Sequence, residues 1–244
     1  MPTFTNFNDR LPDPTFGQSL AGSVDATGQT GPGFASIQVS ALRPVNVSRT
    51  ISGRGVHRET GSHTWEINIT YNPMRRDQFD IVSSFLESRG GGRMNPFYVV
   101  LPQYAQPKGA AFAAFAKANV ITVLSTAQAG ASKMLISSGP TMQGTPSPGD
   151  FFTLSDNANV NHKKVYKVTR VETNALYQIG TTQPATNQAR IHFNPPLSKL
   201  TTSGAVVNWI NPAFRVIQKS ETLEYSLNTD NLYQFQLQLE EIQP

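Results

Sequence analysis

The sequence predicts a mainly β fold: a β-sandwich with one flanking helix, plus an inserted small β-barrel or sandwich domain. Short β-prone runs recur along most of the 244 residues and are separated by turns. The 18 glycines and 17 prolines contribute to these turns. Charged residues make up only 15% of the chain, which is typical of a folded, turn-rich protein and not of a disordered or coiled-coil one. Two runs, at residues 63–71 and 232–239, alternate apolar and polar side chains as half-buried strands do.

The strongest local signal is the strand at residues 63–71. The alternation predicts a buried face made of Trp65, Ile67, Ile69 and Tyr71. Thr64, Glu66, Asn68 and Thr70 are predicted to form the opposite face. This strand is therefore expected to cover a core on one side only.

A helix and a second strand are predicted to follow. Asn72 offers a capping side chain and Pro73 a first helical residue, so an amphipathic helix is expected from about Pro73 to Arg89. Three glycines at 90–92 end it, and because they follow a helix they do not form a phosphate-binding loop. The apolar run at 96–102 predicts a strand that returns beside the first one. This unit contains no obvious catalytic device.

The predicted organisation has three parts. Residues 1–35 form an extended N-terminal arm, rich in glycine, proline and polar residues, and its spaced aromatic residues favour docking on a neighbouring surface over disorder. Residues 36–117 and 208–244 form one discontinuous domain, because the last strand has the same pattern as the strand at 63–71. Residues 118–207 form an inserted all-β domain, which an exposed loop can accommodate.

Composition excludes several functional classes. The chain lacks cysteine, which rules out disulfides, thiolate metal sites and a cysteine nucleophile. The net charge is +4, but the basic residues are scattered, so a solvated surface is expected and not a nucleic-acid site. No apolar stretch approaches the ~20 residues of a membrane span, and we expect neither an export signal nor membrane insertion.

The sequence predicts no catalytic, cofactor-binding or metal-binding residues. His57 and His63 are interpreted as a pair of surface histidines, because no third ligand type accompanies them. His162 and His192 stand alone and are assigned structural roles, and Asp150 is interpreted as a turn carboxylate. We therefore expect a protein that is not an enzyme and needs no cofactor.

A set of aromatic, proline and glycine motifs carries a resemblance to a known family. The motifs are Ser52-Gly53, His63-Thr64-Trp65, Tyr71-Asn72-Pro73, Phe85-Leu86, Gly92-Arg93, the run Pro96 to Pro102, and a self-paired β segment around Leu223 to Leu239. In this combination the chain resembles minor tail proteins of tailed bacteriophages, of the distal tail or tail-tube-initiator (baseplate) type.

The resemblance implies a tail-tube-like sandwich that assembles as a homohexameric ring around a channel. DNA would pass through this channel without specific binding, and the inserted domain would lie at the periphery. The expected partners are further copies of the chain, the tail tube protein, the tail hub and other baseplate or fibre proteins. The expected location is the virion tail, after assembly in the host cytoplasm. Channel linings in this family tend to be acidic whereas this chain is basic overall, yet neutral glutamines on the last strand would not neutralise phosphates.

Two functions of different classes follow from these observations. The leading hypothesis is a structural tail-tip or baseplate protein whose ring continues or initiates the tail tube and attaches peripheral components. The alternative is a carbohydrate-binding or receptor-binding β module of a tail structure, in which Tyr166, Tyr177 and Trp209 would either stack on sugars or belong to the core. A third hypothesis, a hydrolase, is supported only by scattered aspartate and glutamate residues, so we do not favour it.

Overall fold

The computed structural model describes residues 9–14, 17–18, 29–59 and 63–242. The chain divides into two compact units, Met1–Val99 with Arg215–Ile242, and Val100–Phe214. Compact units do not by themselves show which parts fold alone, so the predicted domain boundaries stay a prediction. The aromatic and leucine residues predicted to dock the arm, at positions 4, 7, 16 and 20, lie outside the described residues, as does the side chain of His57.

The first unit combines β-strands with one helix. Its strands are β1 (Gly17–Gln18), β2 (Gln29–Thr30), β3 (Phe34–Leu42), β4 (Val45–Arg49), β5 (Gly55–Glu59), β6 (Thr64–Tyr71), β7 (Phe97–Val100), β14 (Ala213–Gln218), β15 (Tyr225–Leu227) and β16 (Tyr233–Glu241). The helix is α1 (Arg76–Ser88). The main sheet has the order β3-β6-β16-β14-β7, and β15 pairs with β16 beside it.

Helix α1 covers the apolar face of this sheet. As predicted, Trp65, Ile67, Ile69 and Tyr71 are buried. Phe79 of α1 stacks on Tyr233 with 4.5 Å between ring centroids, and Phe85 meets Phe97 edge to face at 5.5 Å. Burying such aromatic side chains is the main stabilising term of a core of this kind.

Two predictions about this region are wrong. The helix begins at Arg76 and not near Pro73, because Met74 continues the extended chain and exchanges backbone hydrogen bonds with Tyr233 at 3.0 and 2.8 Å. Strand β7 lies beside β14, so β16 and β14 separate it from β6. The returning chain therefore reaches the far edge of the sheet, where the C-terminal strands have taken the positions next to β6.

The residues between β3 and β6 form a hairpin that is separate from the main sheet. Strands β4 and β5 pair only with each other among the described residues and form a separate two-stranded hairpin. Strand β3 pairs directly with β6 along its length. The hairpin therefore connects β3 to β6 without belonging to the main sheet.

The described start of the chain is docked on the first unit. Arg10 forms a parallel bridge with Tyr98, and Leu11 donates a backbone hydrogen bond to the Tyr98 carbonyl at 2.8 Å. The Leu11 side chain is buried, and Arg10 pairs with the buried carboxylate of Asp13 at 2.6 Å. This part of the predicted arm therefore packs on its own chain.

The second unit is built around a closed barrel of antiparallel strands. The strands are β8 (Ile121–Val123), β9 (Lys133–Ser138), β10 (Phe151–Ser155), β11 (Val165–Glu172), β12 (Gln188–Asn194) and β13 (Val206–Asn208). They close in the order β10-β11-β12-β9-β8-β13. The mainly β prediction is confirmed, and of the two inserted architectures expected, the structure has the barrel.

A short 3-10 helix (Pro102–Tyr104) and α2 (Ala110–Ala118) precede the barrel strands. Phe112 and Phe115 of α2 belong to the barrel core, and Phe112 meets the Trp209 ring edge to face at 5.2 Å. This packing attaches α2 to the second unit, whereas the predicted boundaries group it with the first.

Candidate functional site

The outer face of the first unit's sheet is polar across β3, β6 and β16. Opposite residues on antiparallel strands point to the same face, so the register defines rows of neighbours. The rows are Ser36, Thr70 and Gln236; Gln38, Asn68 and Gln238; and Ser40, Glu66 and Glu240. We call these nine residues the polar face. Its amides and hydroxyls bind water well but cannot neutralise phosphates.

The charge of the polar face is weakly negative. It contains the carboxylates Glu66 and Glu240 and lacks lysine and arginine. Lys219, which follows β14, places its Nζ atom 2.7 Å from Glu66 Oε1. The hydrogen bond and charge of Glu66 raise the pKa of Lys219, so this ammonium is committed to a carboxylate.

An open groove of about 630 Å³ includes three residues of the polar face, Thr70, Gln236 and Gln238. Amide and hydroxyl residues of β16 and of the segment between β14 and β15 line it, together with the carboxylate of Glu224. Its lining lacks arginine and lysine, so the groove has no cation that would neutralise a phosphate.

The β4–β5 hairpin exposes apolar side chains. Val47 is 54% exposed and Ile51, at the turn, is fully exposed. Leu42, Val45 and Val56 are each about half exposed. An isolated two-stranded hairpin is marginal in water, so this surface is a candidate for contact with another molecule.

A buried ionic cluster braces one loop of the barrel unit. The Glu172 carboxylate is buried and accepts hydrogen bonds from Arg190 at 2.8 Å and His192 at 3.0 Å, with Arg170 3.2 Å away. Burial alone would raise the pKa of Glu172, but these hydrogen bonds and charges outweigh burial and lower it. Arg190 also donates to the Thr182 carbonyl at 2.8 Å, which ties the loop at 173–187 to the barrel wall.

The braced loop exposes apolar residues at its tip. Ile179 is 95% and Leu176 is 76% exposed, and Tyr177 is partly exposed. Sequence reasoning did not detect the cluster beneath them. The available signal was the alternation of Arg190 and His192 about the buried Ile191 on a single strand.

A second buried polar network surrounds His162. Its Nε2 atom lies 2.6 Å from the Tyr166 hydroxyl, which accepts a hydrogen bond from the Ser198 backbone N–H at 3.1 Å. Burial lowers the pKa of His162 to about 4, although Asp156 opposes the shift. This neutral imidazole is closed to solvent, and its network links Tyr166 of β11 to Ser198 in the loop after β12.

The structure locates the other predicted residues as follows. The His63 side chain is buried, and its ring centroid lies 4.6 Å from that of Trp65. Its assignment to the surface was therefore wrong. Asp150 is a turn carboxylate as predicted, since it accepts backbone hydrogen bonds from Lys108 and Ser147.

The aromatic residues considered for sugar stacking divide into two groups. Tyr166 and Trp209 are buried in the barrel core and present no ring to solvent. Tyr177 is 41% exposed in the braced loop. Of the three, only Tyr177 can contact a ligand.

Within the described residues, no group of three or more histidine, aspartate or glutamate side chains is arranged to hold a metal ion. The helices of the described part are likewise too short or too polar to cross a membrane.

Comparison of the sequence with known proteins identifies the class to which these features correspond. No family model matches the chain. The chain is a homologue of a distal tail protein of a tailed phage, which confirms the resemblance carried by the motifs. That relative is the distal tail protein pb9 of Escherichia phage T5, which is 28% identical over 162 residues, or 66% of this chain and 68% of pb9. The homology supports a structural role in a phage tail and a location in the virion tail.

Proposed function

We propose that the chain forms a homohexameric ring at the phage tail tip or baseplate, where it continues or initiates the tail tube. In this proposal the protein is not an enzyme and is assembled in the host cytoplasm. The ring contacts the tail tube protein on one side and the tail hub on the other. The barrel unit attaches further baseplate or fibre proteins.

The polar face is the observation that carries this proposal. A channel for DNA needs a wall that stays hydrated and does not hold phosphates. Nine adjacent residues that include two carboxylates and lack basic side chains meet that need. The positive net charge of the chain argued against a channel lining, but Lys219, whose ammonium reaches this face, is paired with Glu66.

Ring formation can be tested on the purified chain. Mass photometry should reveal a species of about 160 kDa, six copies of the 26.7 kDa chain, and negative-stain images should show rings with a central hole. Addition of the tail tube protein is expected to extend these rings. A chain that stays monomeric at every concentration, with and without the tube protein, contradicts the proposal.

The lining role can be tested separately with Gln238→Lys. In a hexamer this substitution adds six ammonium groups to the channel, so rings should gain double-stranded DNA binding that weakens as salt rises. Gln178→Lys, on the exposed barrel loop, is the matched control and should bind much less DNA. Equal binding by the two variants would show that the polar face does not line the channel.

The alternative function, a carbohydrate-binding or receptor-binding module, is favoured by the braced loop and its exposed Tyr177. Glycan-array or host-envelope binding that Tyr177→Ala abolishes while rings persist would assign this second role to the barrel unit. Binding by a chain that never forms rings would make it the main role.

A further inference from the structure

We propose that the β4–β5 hairpin of one copy docks along the β15 edge of the next copy. This inference rests on the proposed ring and names the two surfaces that would join its subunits. Both surfaces belong to the first unit, and the argument uses their exposed side chains, their charges and their strand pairing.

The hairpin surface is apolar and positively charged. All five residues of β4 are exposed, among them Val45 and Val47 on one side of the strand. Residues 42–59 contain four arginines, of which Arg43, Arg49 and Arg54 are exposed, against one carboxylate, Glu59, at the end of β5. A partner must therefore offer apolar contacts together with carboxylates.

The β15 edge has these properties. Strand β15 pairs with β16 on one side, and all three of its residues are exposed. Tyr225 is 52% and Leu227 is 51% exposed, which supplies the apolar contacts. Among the described residues β15 pairs with no second strand, so its other edge can accept one.

The segment that contains β15 is acidic. Residues 220–231 contain Glu221, Glu224 and Asp230 and no basic residue, and all three carboxylates belong to exposed residues. Arg93 lies 3.3 Å from Glu221, so part of the charge at that position is already balanced within the chain. Glu224 and Asp230 are therefore the residues we expect to meet the hairpin arginines.

The two surfaces complement each other in three respects. The exposed arginines of the hairpin oppose Glu224 and Asp230. Exposed valines and isoleucine oppose Tyr225 and Leu227, and a two-stranded ribbon meets an edge strand that can be extended by backbone hydrogen bonds. Because the two surfaces differ, the contact runs head to tail, and repetition with a closing rotation produces a ring. A second copy of the chain is thus the occupant that fits.

Charge reversal on either surface tests the contact. Arg49→Glu with Arg54→Glu defines the hairpin variant, and Glu224→Arg with Asp230→Arg defines the edge variant. Like charges across the interface oppose docking, so each variant alone should need about tenfold more protein, or more, to form rings. Lys117→Glu with Lys133→Glu, on exposed positions of the barrel unit, is the control and should assemble as the original chain does.

Mixing the two variants is the decisive experiment. A ring in which they alternate brings every reversed hairpin against a reversed edge and every original hairpin against an original edge. The equimolar mixture should therefore recover rings, and native mass spectrometry should find equal numbers of the two chains in each ring.

The outcomes separate this inference from the proposed ring. If the original chain forms no rings, the proposed function fails first. If it forms rings and both variants assemble as well as the control, the ring stands and the hairpin contact is wrong. If both variants lose rings and the mixture does not recover them, the paired contact is also wrong, and circular dichroism of each variant shows whether misfolding caused the loss.

A second pair of substitutions tests the apolar part. Val47→Ser and Leu227→Ser should each weaken ring formation without changing the secondary structure of the monomer. Ala114→Ser, at an exposed position of α2, serves as the matched control. Assembly unaffected by both Val47→Ser and Leu227→Ser would overturn the inference.

Discussion

The barrel of the second unit and the sheet of the first unit differ in how their edge strands are paired. In the barrel, every named strand has a neighbour on both sides, so backbone groups are satisfied within the chain. In the first unit, β15 lies at an open edge and the β4–β5 hairpin extends away with its apolar residues exposed. In the proposed ring, the open edge and the hairpin of the first unit would join neighbouring subunits, whereas the closed barrel would be displayed as a module.

The largest expected effect is in the barrel core. Phe152 is fully buried against Tyr166, Phe193 and Trp209, so Phe152→Ala should lower the free energy of unfolding by about 3–5 kcal/mol. Chemical denaturation in a Trp65→Phe background reports this through Trp209 fluorescence. Phe85→Ala should cost a similar amount in the first unit, because the two units differ at their edges and not in their cores. A near-neutral result at Phe152 would show that the barrel is loosely packed.

The next effect is a loss of barrel stability in acid. The pKa of His162 falls from 6.5 to about 4 in the folded protein, so the folded state binds a proton less readily than the unfolded state. The contribution of neutral His162 to the free energy of unfolding is complete above pH 6.5. It declines by about 3 kcal/mol in total as the pH falls to 4. Unfolding curves recorded through Trp209 at a series of pH values should show this decline. In His162→Gln the slope between pH 4 and 6.5 should flatten, and an unchanged slope would assign the effect to other groups.

Removal of the brace under the barrel loop should have a smaller effect. Arg190→Gln takes one cation from the buried Glu172, while Arg170 and His192 remain, so we expect a loss of about 2 kcal/mol. Hydrogen exchange at residues 173–187 should accelerate because the loop loses its anchor at Thr182. Arg170→Gln, whose guanidinium is 54% exposed, is the control and should leave exchange in the loop nearly unchanged.

The smallest effect on monomer stability is expected in the hairpin. Val47 is already half exposed, so Val47→Ser should change the unfolding free energy by no more than about 0.5 kcal/mol. Differential scanning fluorimetry at a concentration where the chain is monomeric measures this. A loss above about 2 kcal/mol would mean that the hairpin is part of the subunit core and would remove the contrast with the barrel.

The sequence predicts those parts of the fold that depend on local periodicity. The alternation of β6 and β16 identified their buried faces, and turn chemistry separated the barrel strands. Strand order was not readable, because the pairing of β7 with β14 depends on a segment more than a hundred residues later. The start of α1 was missed for the same reason, since a distant strand holds Met74 in extended form.

The surfaces that matter for assembly were harder to predict. Val45 and Val47 look like ordinary core positions, because local sequence does not distinguish a buried strand from an exposed hairpin of the same composition. The glutamines of β16 were recognised as an outward face, yet their union with β3 and β6 into one surface required the register. The Glu172 cluster joins two strands whose pairing is likewise absent from local patterns.

The central position of β16 also determines when the sheet of the first unit can be completed during synthesis. Leu237 pairs with Ile69, so the first unit cannot complete its sheet until the residues of β16 have left the ribosome. The barrel segment is synthesised before that and can fold first, since domains generally fold as units during synthesis. Strand β15 exists only when β16 does, and a chain interrupted at any earlier point therefore lacks the edge on which a neighbour would dock. In the proposed ring, such an incomplete product would therefore lack one of its two joining surfaces.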